Sequence, residues 1–79
     1  MFYVYVLRSL KNNRFYVGST DDVQRRFLEH NSGQSKYTKS TRPFQLLYTE
    51  IFSTRREAVK REMALKSGQG RQWLKQRFS

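Results

Sequence analysis

No cysteine occurs anywhere in this chain of 79 residues, and that absence limits how it can fold. A chain this short lies near the lower end of what holds a core without disulfides or a structural metal. Thiolate metal sites are excluded together with disulfides, and the single histidine, His30, excludes a multi-histidine zinc site. Any bound metal is therefore expected to be a hard, oxygen-liganded one. The core has to come from side-chain area, which five Tyr, six Phe and one Trp supply, since large flat rings bury the most per residue. One such core supports one domain, 1–79, with no room for a separate recognition module.

The stretch 1–10 is apolar but alternating and aromatic, is interrupted by Arg8, and lacks a basic leading region and a small-residue cleavage site. It reads as a first strand and not as a signal peptide. No apolar run approaches the ~20 residues that span a bilayer, so a soluble, cytoplasmic protein is expected. Sixteen Lys and Arg against six Asp and Glu give a net charge of +10. Self-repulsion of that size costs stability in a small fold unless a polyanion is the partner. Nucleic acid is the leading candidate, with an anionic membrane surface or mere solubility as rivals.

No repeat, low-complexity tract or linker interrupts the chain. Residues 2–8 are β-branched and aromatic, Lys11-Asn12-Asn13 is turn chemistry, and Phe15-Tyr16-Val17 resumes the strand composition up to Gly18, which together predict a β-hairpin. Ser19-Thr20-Asp21-Asp22 then offers a cap, and Val23, Arg26, Phe27 and His30 recur with helical spacing before Asn31-Ser32-Gly33 closes the helix. Residues 34–42 are polar, basic and aperiodic, a loop ending at Pro43. A third strand is expected over 45–52. Thr54-Arg55-Arg56-Glu57 fits a capping box opening a second helix to about Lys66. Gly68-Gln69-Gly70 is read as its stop, and 71–78 as a short terminal helix. The order ββαβαα implies an α/β fold with a three-stranded, largely antiparallel sheet flanked by helices.

Several polar residues fall where a core is expected. On the second helix Ala58, Val59, Met63 and Leu65 are read as core-facing, and Glu62 lies among them. A buried carboxylate has to be paired, protonated, at the edge of the stripe or bound to a metal; an internal salt bridge to Arg and a catalytic or metal role both remain open. On the first helix Arg26 and His30 lie one turn apart. An arginine fork suits bidentate phosphate contact, and an imidazole can relay a proton, bind a phosphate oxygen or simply favour the helix C-terminus. Tyr5 and Tyr16 are cross-strand aromatics in the plainest reading. With an even turn at 10–13, Leu7 opposes Tyr16 and Tyr5 lies diagonally across on the same face; an odd turn would separate the hydroxyls.

Tyr3-Val4-Tyr5, Tyr16-Val17-Gly18, Ser19, the run Asp22-Val23-Gln24-Arg25-Arg26-Phe27 with His30 after it, and Glu62 in a Glu-Ala-x-x-x-Glu helix form an ordered set. The chain resembles a GIY-YIG nuclease domain over nearly its whole length, in the small stand-alone subgroup. The first signature departs from the family pattern, with Tyr3 in place of glycine, and Trp73-Leu74 stand where several members carry an Asn that Gln72 could replace. What the resemblance implies is a single-metal phosphodiesterase. Glu62 would ligate Mg²⁺ or Mn²⁺, Arg26 would clamp the scissile phosphate, and Tyr5 and Tyr16 would flank the attacking water, with His30 taking or sharing the proton. A tyrosine acting as base needs its pKa brought down from about 10, which Arg26, the metal and the positive field would favour. Lys36, Tyr37, Thr38, Lys39 and Arg42 fall on the family's substrate-edge loop and are expected to touch backbone phosphates.

The expected function is a metal-dependent endonuclease acting on DNA, RNA staying open. It would be a DNA-repair type of activity selected by substrate shape, with a partner protein as a further source of specificity. The alternative is a non-catalytic nucleic-acid-binding module that keeps the fold.

Overall fold

Of the two hairpin parities that the sequence leaves open, the even one is present in the computed structural model, which describes residues 1–78 apart from Ser35 and Tyr37. Strand β1 (Phe2–Ser9) pairs antiparallel with β2 (Phe15–Thr20), and Leu7 lies opposite Tyr16. The Ser9 hydroxyl accepts from the backbone N–H groups of Lys11 and Asn12, and Asn13 takes the left-handed conformation at φ 63°. Asparagine adopts that region more readily than most residues, so the turn closes without a glycine. Helix α1 (Val23–Ser32), strand β3 (Phe44–Phe52) and helices α2 (Arg55–Lys66) and α3 (Gly68–Phe78) complete the expected order. The sheet runs β2-β1-β3, and β1 is antiparallel to both neighbours.

The central strand is covered on both faces, so its side chains divide by parity. Val4 and Val6 join Val17, Ala58, Leu65 and Leu74 in one apolar cluster beneath α2 and α3. Tyr5 and Leu7 join Phe44 in a second, with Tyr16, Val23 and Phe27 of the hairpin and α1 packed against it. Each fully buried aliphatic side chain here contributes about 1.5–3 kcal/mol. Asn31 fixes the far end of α1: its Oδ1 accepts from the Phe44 N–H at 2.6 Å and its Nδ2 donates to the Phe44 carbonyl at 3.3 Å.

Helix α1 starts at Asp22, whose carboxylate accepts from the Arg25 N–H, and ends at Gly33 in the left-handed conformation. Helix α2 starts at Thr54, which accepts from the Glu57 N–H. Two expectations are corrected on α2 and α3. Val59 and Met63, read as core-facing, are 38% and 67% exposed, because the buried line along the helix passes through Ala58 and Leu65 with Arg61 and Glu62 half-buried between them. Gly68-Gln69-Gly70 does not stop α2; it is the first turn of α3. The break is made by Ser67, in extended backbone conformation, whose hydroxyl donates to the Ala64 carbonyl and accepts from the Gly70 N–H. Gly70 is where the two helices touch: a Cβ there would lie 2.3 Å from the Ala64 carbonyl oxygen and 2.5 Å from Leu65 Cα. No helix of the described residues is long and apolar enough to cross a membrane.

Candidate active site

Tyr5 is carried by the central strand, is 1% exposed, and points its hydroxyl across Gly18 of β2. A Cβ at position 18 would lie 2.4 Å from the Tyr5 oxygen and 2.5 Å from Cζ. Gly18 is not in the left-handed region, so the requirement for glycine is one of space alone. The ring of Tyr5 stacks at 6.4 Å from that of Tyr16, and Tyr16 lies 4.7 Å from the imidazole of His30.

His30 is completely buried at the end of α1. Its Nε2 is 3.0 Å from the Tyr5 hydroxyl and its Nδ1 is 2.8 Å from the hydroxyl of Thr38. Arg26, one turn earlier, places its charge beside the same phenol. A neutral imidazole donates from one ring nitrogen and accepts at the other, and the order that satisfies these atoms with Tyr5 protonated runs from the Tyr5 O–H to Nε2 and from Nδ1–H to Thr38. Burial holds His30 below its ordinary pKa of 6.5, with the Arg26 charge acting the same way against a smaller pull from Glu29. The imidazole is therefore neutral at neutral pH, as this chain of donors requires.

Burial pushes Tyr5 above its ordinary value of 10.0, with the charges of Tyr16 and Glu62 adding to the effect, and the Arg26 hydrogen bond offsets this only in part. The expectation that Arg26 and the positive field would ease ionisation does not hold for Tyr5, because desolvation outweighs them. Tyr16 is only half-buried. Among the described residues its hydroxyl has no hydrogen-bond partner and no buried polar side-chain atom is left unsatisfied, so that hydroxyl faces solvent.

Arg26 donates to Glu29 at 2.7 Å, a contact the three-residue spacing permits but that the sequence reading did not single out. Glu29 also lies 3.9 Å from Arg25. Burial works against the charge of Arg26, but its hydrogen bonds to Tyr5 and Glu29 outweigh that and raise its pKa.

Glu62 reaches the same part of β2 from the opposite face of the sheet. Ser19 follows Gly18, so its side chain points toward α2, where its hydroxyl donates to Oε1 of Glu62 at 2.6 Å. The salt bridge foreseen for Glu62 exists, but its partner is Lys66, one turn along α2, which donates to Oε2 at 2.6 Å. Among the described residues Glu62 makes no hydrogen bond or ion pair with Tyr5, Tyr16, Arg26 or His30, and its charge reaches Tyr5 through space.

No group of three His, Cys, Asp or Glu side chains gathers among the described residues, which rules out an all-protein cage there. At Glu62 the oxygen donors are its own carboxylate and the hydroxyl of Ser19. Mg²⁺ or Mn²⁺ suits such a set, since a small hard cation keeps several waters and accepts one or two carboxylates together with substrate phosphate.

The loop places its residues in two ways. Lys36, Lys39 and Arg42 are exposed. Thr38 is buried and holds His30, so its expected contact with a phosphate is replaced by an internal one. Tyr37 lies outside the described residues. The signal for Thr38 was invisible in sequence because its partner is eight positions away across an aperiodic loop.

A family model described as the GIY-YIG catalytic domain matches residues 1–76. The chain belongs to the GIY-YIG family. It is 44% identical over 66 residues to a UPF0213 protein of Staphylococcus saprophyticus, a match covering 82% of this chain and 79% of that protein. It is 48% identical over 65 residues to one of Listeria innocua, covering 81% and 71%. A solution NMR structure of a UPF0213 protein from Bacillus halodurans matches with a TM-score of 0.57 and 36% identity, over 99% of this chain and 86% of that one. GIY-YIG domains form a nuclease superfamily.

Proposed function

We propose that this GIY-YIG protein is a divalent-metal-dependent endonuclease that hydrolyses phosphodiester bonds in DNA and selects its substrate by shape. The observation that carries the reading is the buried bond between Tyr5 and His30 with the charge of Arg26 beside it. Hydrogen-bonding a buried histidine to a strand tyrosine and a threonine does nothing for core stability that an aliphatic cluster would not do better, whereas it fixes a tyrosine between an imidazole and an arginine.

In this reading Arg26 binds the non-bridging oxygens of the scissile phosphate, exchanging part of its contact with Glu29 for the substrate. Tyr5 stays protonated and acts as a positioning residue, holding the guanidinium on one side and the imidazole on the other. Tyr16, whose hydroxyl reaches solvent, takes the proton of the attacking water, and the imidazole against its ring steadies it. Glu62 would hold the cation, releasing Lys66 and keeping Ser19 as the donor that orients its other oxygen. When bound, the cation supplies Lewis-acid stabilisation of charge on the phosphate and the leaving oxygen.

Exposed Lys36, Lys39 and Arg42 would follow backbone phosphates, positioned by the Thr38 bond to His30. Cleavage of linear, flapped, forked and cruciform DNA with Mg²⁺, Mn²⁺ or EDTA tests the proposal. Product is expected only with the metal, favouring one branched substrate, and is expected to vanish in Glu62→Ala while binding persists. Equal cleavage by wild type and Glu62→Ala would remove the metal-site assignment. Binding of every substrate with cleavage of none would make the protein a binding module.

A further inference from the structure

A groove outside the residues of the candidate active site runs between the hairpin end of β2 and the junction of α2 with α3. Its volume is about 650 Å³, and four cationic side chains, Arg14, Lys66, Arg71 and Lys75, line it without a single carboxylate. Its apolar floor is offered by the half-buried ring of Phe15, beside Val17, Leu65 and Leu74, which are themselves buried in the core. Among the described residues Arg14, Arg71 and Lys75 make no ion pair, although carboxylates elsewhere take up Arg25, Arg26, Arg61 and Lys66. Arg71 Nε donates to the Lys66 carbonyl at 3.2 Å, and basic side chains with no carboxylate partner beside an aromatic ring suit a ligand that combines flat apolar surface with negative charge.

Position along β2 ties this groove to the catalytic carboxylate. Phe15, Val17 and Ser19 face the same side of the sheet, and Val17 stands about 7 Å before Ser19 at the usual rise of a strand. Lys66 belongs to both places, lining the groove and pairing with Glu62.

We propose that this groove binds an unpaired stretch of nucleic acid leaving the scissile bond, with a base on the apolar floor and flanking phosphates on Arg14, Arg71 and Lys75. A duplex gains nothing from the floor because its bases are stacked inside. Only an unpaired strand presents base faces and phosphates together, the combination that single-strand grooves recognise. The preference for a branched or tailed substrate then has a physical origin within a chain of this size. The proposal rests on the nuclease reading for the meaning of its nearness to Glu62, but its test does not.

Fluorescence anisotropy in EDTA compares a blunt duplex with the same duplex carrying a single-stranded tail. Wild type is expected to bind the tailed form more tightly. The double variant Arg71→Gln/Lys75→Gln is expected to bind both forms alike. Its log–log salt slope on tailed DNA should fall by about 1.4, from two contacts at roughly 0.7 each. Both side chains are exposed, and circular dichroism confirms that the variant is folded. As a second measurement, an iodouracil-substituted tail is expected to cross-link to Phe15 on irradiation. No preference in wild type, an equal loss on both DNAs, or cross-links confined to the loop 36–42 overturns the proposal. Because no cleavage is measured, an inactive protein that still prefers the tail would refute the nuclease reading and keep the groove.

Discussion

Replacing Gly18 by alanine puts one methyl group where there is no room for it. The new Cβ would lie 2.4 Å from the Tyr5 oxygen and 2.5 Å and 3.0 Å from two of its ring carbons, the first two being separations that real side chains do not tolerate. Tyr5 has no easy retreat: it is 1% exposed, stacked on Tyr16 and hydrogen-bonded to buried His30. Overpacking of this kind costs about 1–3 kcal/mol, and pulling the phenol off Nε2 leaves a buried acceptor unpaired at about 1–3 kcal/mol more. Alanine returns roughly 0.4–1 kcal/mol by restricting the unfolded chain. The net expectation is destabilisation of about 1–5 kcal/mol, a large share of the stability of so small a domain. Urea unfolding reads it as a shift in midpoint at unchanged slope. The decisive comparison is a double-mutant cycle with Tyr5→Leu: once the ring is gone, alanine at position 18 is expected to cost almost nothing, so the coupling should approach its whole effect. Additive behaviour, or a Gly18→Ala protein within about 0.5 kcal/mol of wild type, would show that the clash is not what keeps glycine there.

Acidification is expected to destabilise the fold in two stages. His30 has a native pKa below 6.5, so the unfolded chain binds the extra proton and stability is lost as pH falls below that value. Glu50, held below 4.5 by the Arg61 hydrogen bonds despite partial burial, adds a second loss below 4.5. Stability curves from pH 8 to about 2 check both, and His30→Gln should flatten the first stage and leave the second. Gly70→Ala drives a methyl group into the backbone of α2, and a cost of at least about 2 kcal/mol in thermal unfolding is expected. Thr54→Ala removes the N-cap bond to the Glu57 N–H at about 1 kcal/mol, with cleavage unchanged at a temperature where both proteins are folded. Arg26→Ala is expected to weaken both DNA binding and cleavage, in contrast to Glu62→Ala, and parallel binding and rate measurements separate the two.

Local chemistry made much of this fold readable. The pairing of Leu7 with Tyr16 follows from turn parity, and the two helix starts follow from Asp22 and Thr54, because each depends on neighbours a few residues apart. The end of α2 was misread for the same reason: glycines ordinarily signal a stop, but here Ser67 supplies the break and Gly70 is small to let two helices touch, which only the tertiary arrangement reveals. The exposure of Val59 and Met63 is likewise set by how α2 lies on the sheet. In the candidate site, the types and order of Tyr5, Tyr16, Arg26, His30 and Glu62 were legible. Their partners Thr38, Ser19 and Lys66 were less so, since a hydroxyl or an amine carries no sequence mark of the atom it will meet. The inversion at Tyr5 could not be seen at all, because whether burial or a neighbouring charge wins depends on a depth that composition does not encode.

The alternation of Gly18 and Ser19 on β2 has a consequence for how the site comes into being. One residue leaves the space that Tyr5 fills on one face, and the next grips Glu62 on the other. A hairpin slipped by a single residue would present a serine to the tyrosine ring and nothing to the glutamate. Both halves of the machinery would then fail together, although the backbone hydrogen bonds could still form. Correct strand alignment is thus a condition of the proposed chemistry as well as of folding, and a misaligned chain would keep its positive charge while losing both contacts.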